Sequence, residues 1–489
     1  MKGGFLEPTA DRSSGLSPVC RFSWQKILVA LLLLALFLFL RLLAAPKLGR
    51  LLLVGLPGLA FFLAFPRTDV MLLIAPVAFV LTGSILFDIG GFHPSAPKLL
   101  MAGLLVLYLA EKLVWNESFP TANPQSRLLL LFVLIMAASC VISIHLVGQL
   151  PMNAFRETLT YVTFAPLMVM VADRFRTRAE IGRITGVLMG IFTFTSLLGI
   201  FEYHTAATFY RTDMSIGYIF STRVSSLMGN PNVFAGYLEL TTPIALALGL
   251  YHRKTWVRLL SLAAAVLGVL SCLYTFSRGG LVSVVAGSAL VLFYRFRRRI
   301  WVPITVLLAF MLFLGATAGI FERQISFFTN PTETITQPTL LHRYFSYKSV
   351  FREFTESPVL GEGWGAEPFF WGGTQLYSFW EIRHRVSEAP IESFGGLNSL
   401  ALTFLVRGGL VGGLALISLL AMVAVTSLRA IRRAPPPWGI GIAAGMAGFF
   451  LHQTMDNFLQ WHFVAPFFWI HLGLATAATR ASMRQEERA

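Results

Sequence analysis

The stretch Ser225–Leu240, SSLMGNPNVFAGYLEL, sets a Gly-Asn-Pro-Asn turn directly before an apolar run. Asn is a favoured helix N-cap and Pro is favoured at the first helical position. The turn therefore predicts a helix start, and the apolar residues from Val233 onward carry that helix for the length of a membrane span. Its first N–H groups and its dipole would favour an anion such as a phosphate. A plain cap on a membrane helix is the alternative.

The rest of the chain extends this pattern. Hydrophobic residues make up 55% of 489 positions and charged residues 13%, and the mean hydropathy is +0.68. A soluble globular chain carries about 25% charged residues. Apolar runs of bilayer-crossing length recur throughout. The fold class is an all-α polytopic membrane protein of about 12–14 transmembrane helices. The expected spans lie near 27–45, 50–66, 70–90, 98–115, 127–149, 152–172, 182–202, 233–251, 257–275, 280–296, 300–320, 399–428, 438–456 and 460–479. The net charge of +15 is no sign of nucleic-acid binding, because the basic residues fall in short clusters between apolar runs. Cys20, Cys140 and Cys272 suggest no disulfide framework.

The basic clusters give an orientation. RFRTR (Arg174–Arg178), HRKTWVR (His252–Arg258), RFRRR (Arg295–Arg299), RAIRR (Arg429–Arg433) and the tail from Arg480 each adjoin an apolar run. Such clusters stay cytoplasmic, as does the N-terminal segment 1–26. The expected order is then a cytoplasmic segment 1–26, an N-terminal bundle 27–320, one large external loop 321–398, helices in 399–479 and a cytoplasmic tail 480–489. The loop holds nine acidic residues and six Lys or Arg. Long loops are commonly functional, so the chemistry is expected there and in the segment 203–232.

Three features outside the apolar runs stand out. The first is the opening turn, with Asn230 and Asn232, and Arg223 just upstream. The second is YTFSRGGLVSVVAG (Tyr274–Gly287), where Ser277 can cap a helix and Arg278 stands at an external helix junction. An ionisable residue at such a junction is a functional candidate, with interface snorkelling as the alternative. The third is LHRYFSYKSVFREFTESPVLGEGWGAEPFF (Leu341–Phe370), an amphipathic pattern followed by a Gly-rich turn. Its Arg343 and Arg352 offer the guanidinium fork that suits phosphate oxygens. The loop aromatics, Trp364 among them, would either stack on sugar rings or anchor the loop among lipid headgroups. Asp456 and His452 fall on the expected span 438–456, where a buried carboxylate is costly.

The motifs GNPNVFAGYLEL, TFSRGGL, R…SPVLGEGWG and NSLALTFLVRGGLVG, in this order over residues 220–415, resemble the O-antigen ligase and polymerase superfamily of bacterial membrane glycosyltransferases. The resemblance implies transfer of a glycan from an undecaprenyl diphosphate carrier to an acceptor glycan or lipid A-core, in lipopolysaccharide or polysaccharide biosynthesis. It implies a multi-pass protein of the bacterial inner membrane acting at its periplasmic face, with no cofactor, no metal and no nucleic acid. It also implies that outer arginines hold the diphosphate. Arg278 matches the arginine of the family's SRG motif, and Arg343 or Arg352 stands for a loop arginine. The family's His-Asn pair before a late span falls here on Asn398 and Ser399, or on Leu397 and Asn398. Histidine is missing in both registers, and Asn cannot act as a general base. Three readings follow: a base from His384, Glu388 or Glu392; transfer by carrier activation and positioning alone; or a member that only binds or exports a lipid-linked glycan. A secondary transporter is the alternative class, but it predicts inverted repeats and helices interrupted at mid-membrane, and the sequence has no internal repeat.

Overall fold

Proline and small polar residues divide the chain into helices. The computed structural model describes residues 67–82, 95–115, 117, 124–205, 223–296, 299, 301, 305, 308–309, 354–366 and 399–487, all within one unit, Arg67–Ala489. In chain order the helices are α1 (Thr68–Thr82), α2 (Ala96–Val114), α3 (Pro124–His145), α4 (Pro151–Val162), α5 (Pro166–Arg174), α6 (Arg178–Thr205), α7 (Pro231–Tyr251), α8 (Thr255–Tyr274), α9 (Arg278–Arg295), α10 (Leu400–Arg433), α11 (Pro436–Gln453) and α12 (Ala465–Glu486). Single 3₁₀ turns, Ser226–Met228 and Phe458–Gln460, precede α7 and α12. Helices α2, α4, α5, α7, α11 and α12 each carry proline in their first two positions, where its missing N–H costs nothing.

Five of these helices are long and apolar enough to cross a membrane: α3, α6, α7, α8 and α10. Their outward stripes are apolar, with Leu130, Leu134 and Val141 on α3, Phe194, Leu197 and Phe201 on α6, and Leu410, Leu414 and Ile417 on α10 all exposed. Water would not tolerate so much contiguous exposed apolar surface; lipid does. The protein is an all-α multi-pass membrane protein. The expected spans 27–45 and 50–66, and most of 300–320, lie outside the described residues. So do the segment 1–26 and all of the loop 321–398 except 354–366.

Two expected spans are broken. The run 152–172 divides at Thr163–Ala165 into α4 and α5, because Pro166 lacks the N–H a continuous helix needs and crowds the preceding turn. The span 399–428 is α10, which breaks at Gly409 (φ 56°, ψ −142°). The expected span 438–456 stops early, at Gln453. There the Gln453 side-chain oxygen accepts from Phe458 N at 2.9 Å, and Asn457 turns its amide to Tyr161 OH at 2.8 Å and Thr403 Oγ1 at 3.0 Å.

Helix α7 lies at the centre and is almost wholly buried. Small residues let its neighbours approach it closely: a Cβ on Gly445 of α11 would lie 2.4 Å from Leu240 O. Packing of this kind is how helices associate where lipid removes the hydrophobic drive.

The basic clusters gather at one end of the bundle. Arg258 bonds Gly249 O across the α7–α8 turn at 3.3 Å, Arg429 reaches Gln125 at the start of α3 at 3.1 Å, and Arg480 reaches Ala172 O at the end of α5 at 3.1 Å. An ionic knot closes this end. Buried Lys112 pairs with Asp173 at 2.7 Å and Glu117 at 3.0 Å, and Tyr108 OH donates to Asp173 at 3.1 Å. Arg174 meets Glu111 at 2.7 Å, and Glu111 accepts from Thr68 N at 2.8 Å. The Lys112 ammonium beside Glu117 holds its carboxyl below the usual range. Removing one partner of a buried pair strands the other. Asp173→Ala is therefore expected to cost about 3 kcal/mol, read as a lower thermal midpoint of the detergent-purified chain. The paired change Lys112→Met with Asp173→Leu is expected to recover most of that loss.

Candidate functional site at the end opposite the basic clusters

The segment Arg223–Asn232 reaches its place through local capping. Asn230 Oδ1 accepts from Asn232 N at 2.8 Å and Val233 N at 3.4 Å, so the capping reading of this turn holds. Glu202, at the end of α6, accepts from Ser225 N at 3.1 Å and Ser226 N at 2.6 Å. Arg223 donates from Nε to Thr275 O at 2.8 Å and from Nη2 to Asn232 Oδ1 at 2.7 Å, and Val224 N donates to Tyr274 O at 3.1 Å. The mouth of α7 is thereby tied to the α8–α9 turn, some 50 residues further along the chain.

That turn is the SRGG motif. Ser277 Oγ caps α9 by accepting from Gly280 N at 3.3 Å. Arg278 is the first residue of α9 and half-buried. A Cβ on Gly280 would lie 2.5 Å from the Ala235 Cβ, so the first turns of α7 and α9 touch. Ser226 (φ 51°) and Phe276 (φ 53°) are the positive-φ non-glycine residues described, and both lie here. Conformations of this kind are costly and collect at functional sites. Arg278, Asn230, Asn232 and Arg223 thus share one corner. Two of Arg223's donors brace the corner itself.

The end of α11 packs against the same corner. His452 is buried, with Nδ1 2.9 Å from Glu239 Oε2 of α7. After α11, Asp456 stands partly exposed in a turn and not on a span, its N–H bonded to His452 O at 3.0 Å. Asp456 O accepts from Leu400 N at 3.2 Å. The start of α10, directly after Asn398 and Ser399, therefore lies against Asp456. Asn398 itself, with His384, Glu388, Glu392, Arg343 and Arg352, lies outside the described residues.

The Gly-rich turn of the loop is a clasp on α3, α4 and the broken α10. The break at Gly409 frees two carbonyls: Val406 O accepts from Glu362 N at 2.8 Å and Arg407 O from Gly363 N at 3.0 Å. Leu410 N in turn donates to Pro358 O at 2.9 Å and Val359 O at 3.1 Å. Non-helical backbone at membrane depth requires such replacement partners. Trp364 is neither a sugar platform nor a headgroup anchor. It is fully buried, bonded from Nε1 to Ser139 Oγ at 2.8 Å and from its backbone N to Ser143 Oγ at 2.9 Å. Gly365 N donates to Glu157, and Glu157 pairs with buried Arg407 at 3.3 Å.

Residues 263–417 match the family model for O-antigen ligase. That stretch is similar to the O-antigen ligase family. The match begins within α8, takes in the Arg278 turn and the clasp, and ends in α10 past the Gly409 break. No curated protein matches the chain. His452 and Asp456 fall beyond the matched residues, and Glu239 falls before them. Sequence reading passed over Glu239, although a carboxylate in an apolar span is a signal in its own right. It also passed over Glu202, Glu157 and Arg407, whose partners are distant in sequence.

Proposed function

We propose that the protein transfers a glycan from an undecaprenyl diphosphate carrier to an acceptor glycan or lipid A-core at the periplasmic face of the bacterial inner membrane, without a metal. The single observation carrying this reading is the family match over residues 263–417, whose SRGG turn is bonded to the mouth of α7. Transfer breaks the bond between the anomeric carbon and the diphosphate oxygen, and forms a bond from that carbon to an acceptor oxygen. The diphosphate leaves with the electron pair, and the acceptor hydroxyl gives up its proton to a base.

Arg278 is suited to the leaving group. Its guanidinium forms charge-assisted bonds to phosphate oxygens and stabilises the charge that develops as the carrier departs. Arg343 or Arg352 adds a second fork from the loop. The N–H groups at the mouth of α7 are already spent on the Asn230 cap, so the side chains and not the helix end would hold the anion. Asn398 would orient the acceptor hydroxyl. For the proton, the candidates are His384, Glu388 and Glu392 of the loop, together with Asp456, the carboxylate that adjoins the start of α10.

Deleting the gene and resolving the cell's lipopolysaccharide and exopolysaccharide on gels tests this. Loss of one glycan-bearing band series, restored by the wild-type gene, is the expected result. Unchanged glycan profiles in the deleted strain would overturn the reading.

A further inference from the structure

Glu239 lies a little over two turns below Asn230, on the most enclosed helix of the bundle, and is fully buried. A carboxylate so placed in a membrane protein is costly and is retained for a reason. Its Oε2 meets His452 Nδ1 at 2.9 Å, while Oε1 has no hydrogen-bond partner among the described residues. With Nδ1 turned to the carboxylate, the opposite edge of the imidazole meets α9. A Cβ on Gly279 would lie 2.5 Å from both Cδ2 and Nε2 of His452. Phe458 closes a third side, edge-on at 4.7 Å. The ring is thus held from α7, from the turn after α11 and from the first turn of α9, and the residue next to its α9 contact is Arg278.

We infer that Glu239 and His452 are a positioning pair for Arg278. Glu239 fixes the imidazole through Nδ1, and the imidazole fixes the backbone at Gly279, from which the Arg278 side chain is aimed at its anion. Glycine at 279 is what allows the ring to reach that backbone. Glu239 and His452 touch no substrate; they act through Arg278. The inference rests on the reading of Arg278 as the arm that holds a diphosphate.

The test is a double-mutant cycle on the full chain in lipid nanodiscs. The readout is binding of a radiolabelled short-chain polyprenyl diphosphate bearing no glycan. Arg278→Ala is expected to weaken binding about a hundredfold, as loss of a charge-assisted fork would. His452→Ala and Glu239→Leu are each expected to weaken it about tenfold, and to have no further effect in the Arg278→Ala background, because residues acting through one group are not additive. Gly279→Ala, which pushes a methyl into the ring's place, is expected to reproduce the tenfold loss and carries the same cycle if His452→Ala fails to fold. A residue that only supports the fold would weaken binding by the same factor in both Arg278 backgrounds. That outcome, or wild-type binding by His452→Ala and Gly279→Ala, overturns the positioning role and leaves the function of Arg278 intact. Wild-type binding by Arg278→Ala overturns both.

Discussion

Arg278→Ala is expected to abolish most glycan transfer while leaving the fold intact. A charge-assisted hydrogen bond is worth about 1.5–3 kcal/mol. Losing two from a leaving diphosphate lowers the rate by roughly two to four orders of magnitude. Arg278→Lys keeps the charge but not the planar fork, so an intermediate loss of about tenfold is expected. The fold is spared because Arg278 is the first residue of α9, half-buried, and the cap of that helix belongs to Ser277. The check is product formation against thermal midpoint for wild type, Arg278→Lys and Arg278→Ala, expressed to equal levels. Full product from Arg278→Ala would remove this residue from the site.

Gly409→Ala is expected to have the largest effect on stability. At φ 56° and ψ −142° the position is one that essentially only glycine adopts without strain. A Cβ there would lie 2.4 Å from Val359 O and 2.5 Å from Val359 C, both backbone atoms that cannot swing away. Relieving the clash means withdrawing the clasp, and with it the bonds from Glu362 N, Gly363 N and Leu410 N. Strain of about 1–3 kcal/mol and three lost donors at about 1 kcal/mol each together come to roughly 4–6 kcal/mol. Thermal unfolding of the purified protein measures it, and proteolysis should open the chain near residues 357–366 first. A variant within about 1 kcal/mol of wild type would mean that the clasp does not depend on the break in α10.

What was legible in the sequence was local. The Asn230 cap with Pro231 and the Ser277 cap depend on residues two or three positions apart, and both formed as their spacing required. The basic clusters marked one end of the bundle because each sits at a helix terminus. Long-range pairing was not legible. Glu239 and His452 are 213 positions apart, and neither neighbourhood names the other. Trp364 lies in a loop rich in aromatics, where headgroup anchoring and sugar stacking are the expectations, with the anchor slightly favoured. Its partners, Ser139 and Ser143, are inconspicuous hydroxyls on a helix more than 200 residues earlier. The break in α10 was hidden for another reason. In LVRGGLVGG, apolar residues on both sides keep the hydropathy of an unbroken span, and the freed carbonyls find donors only in a distant loop. The same averaging carries the expected span on to Asp456, although Gln453 before it and Asn457 after it turn the chain out of helix.

We propose that the corner built from Arg278, Asn232 and Arg223 serves transfer of a carrier-linked glycan. The most direct measurement uses the purified full chain in nanodiscs with an undecaprenyl-diphosphate-linked glycan and a candidate acceptor, following both undecaprenyl diphosphate released and glycan transferred. Equal amounts of the two, dependent on acceptor, are expected from the wild type, and amounts about a hundredfold or more lower from Arg278→Ala. Equal product from wild type and Arg278→Ala, or acceptor-independent release with no glycan transferred, would contradict it.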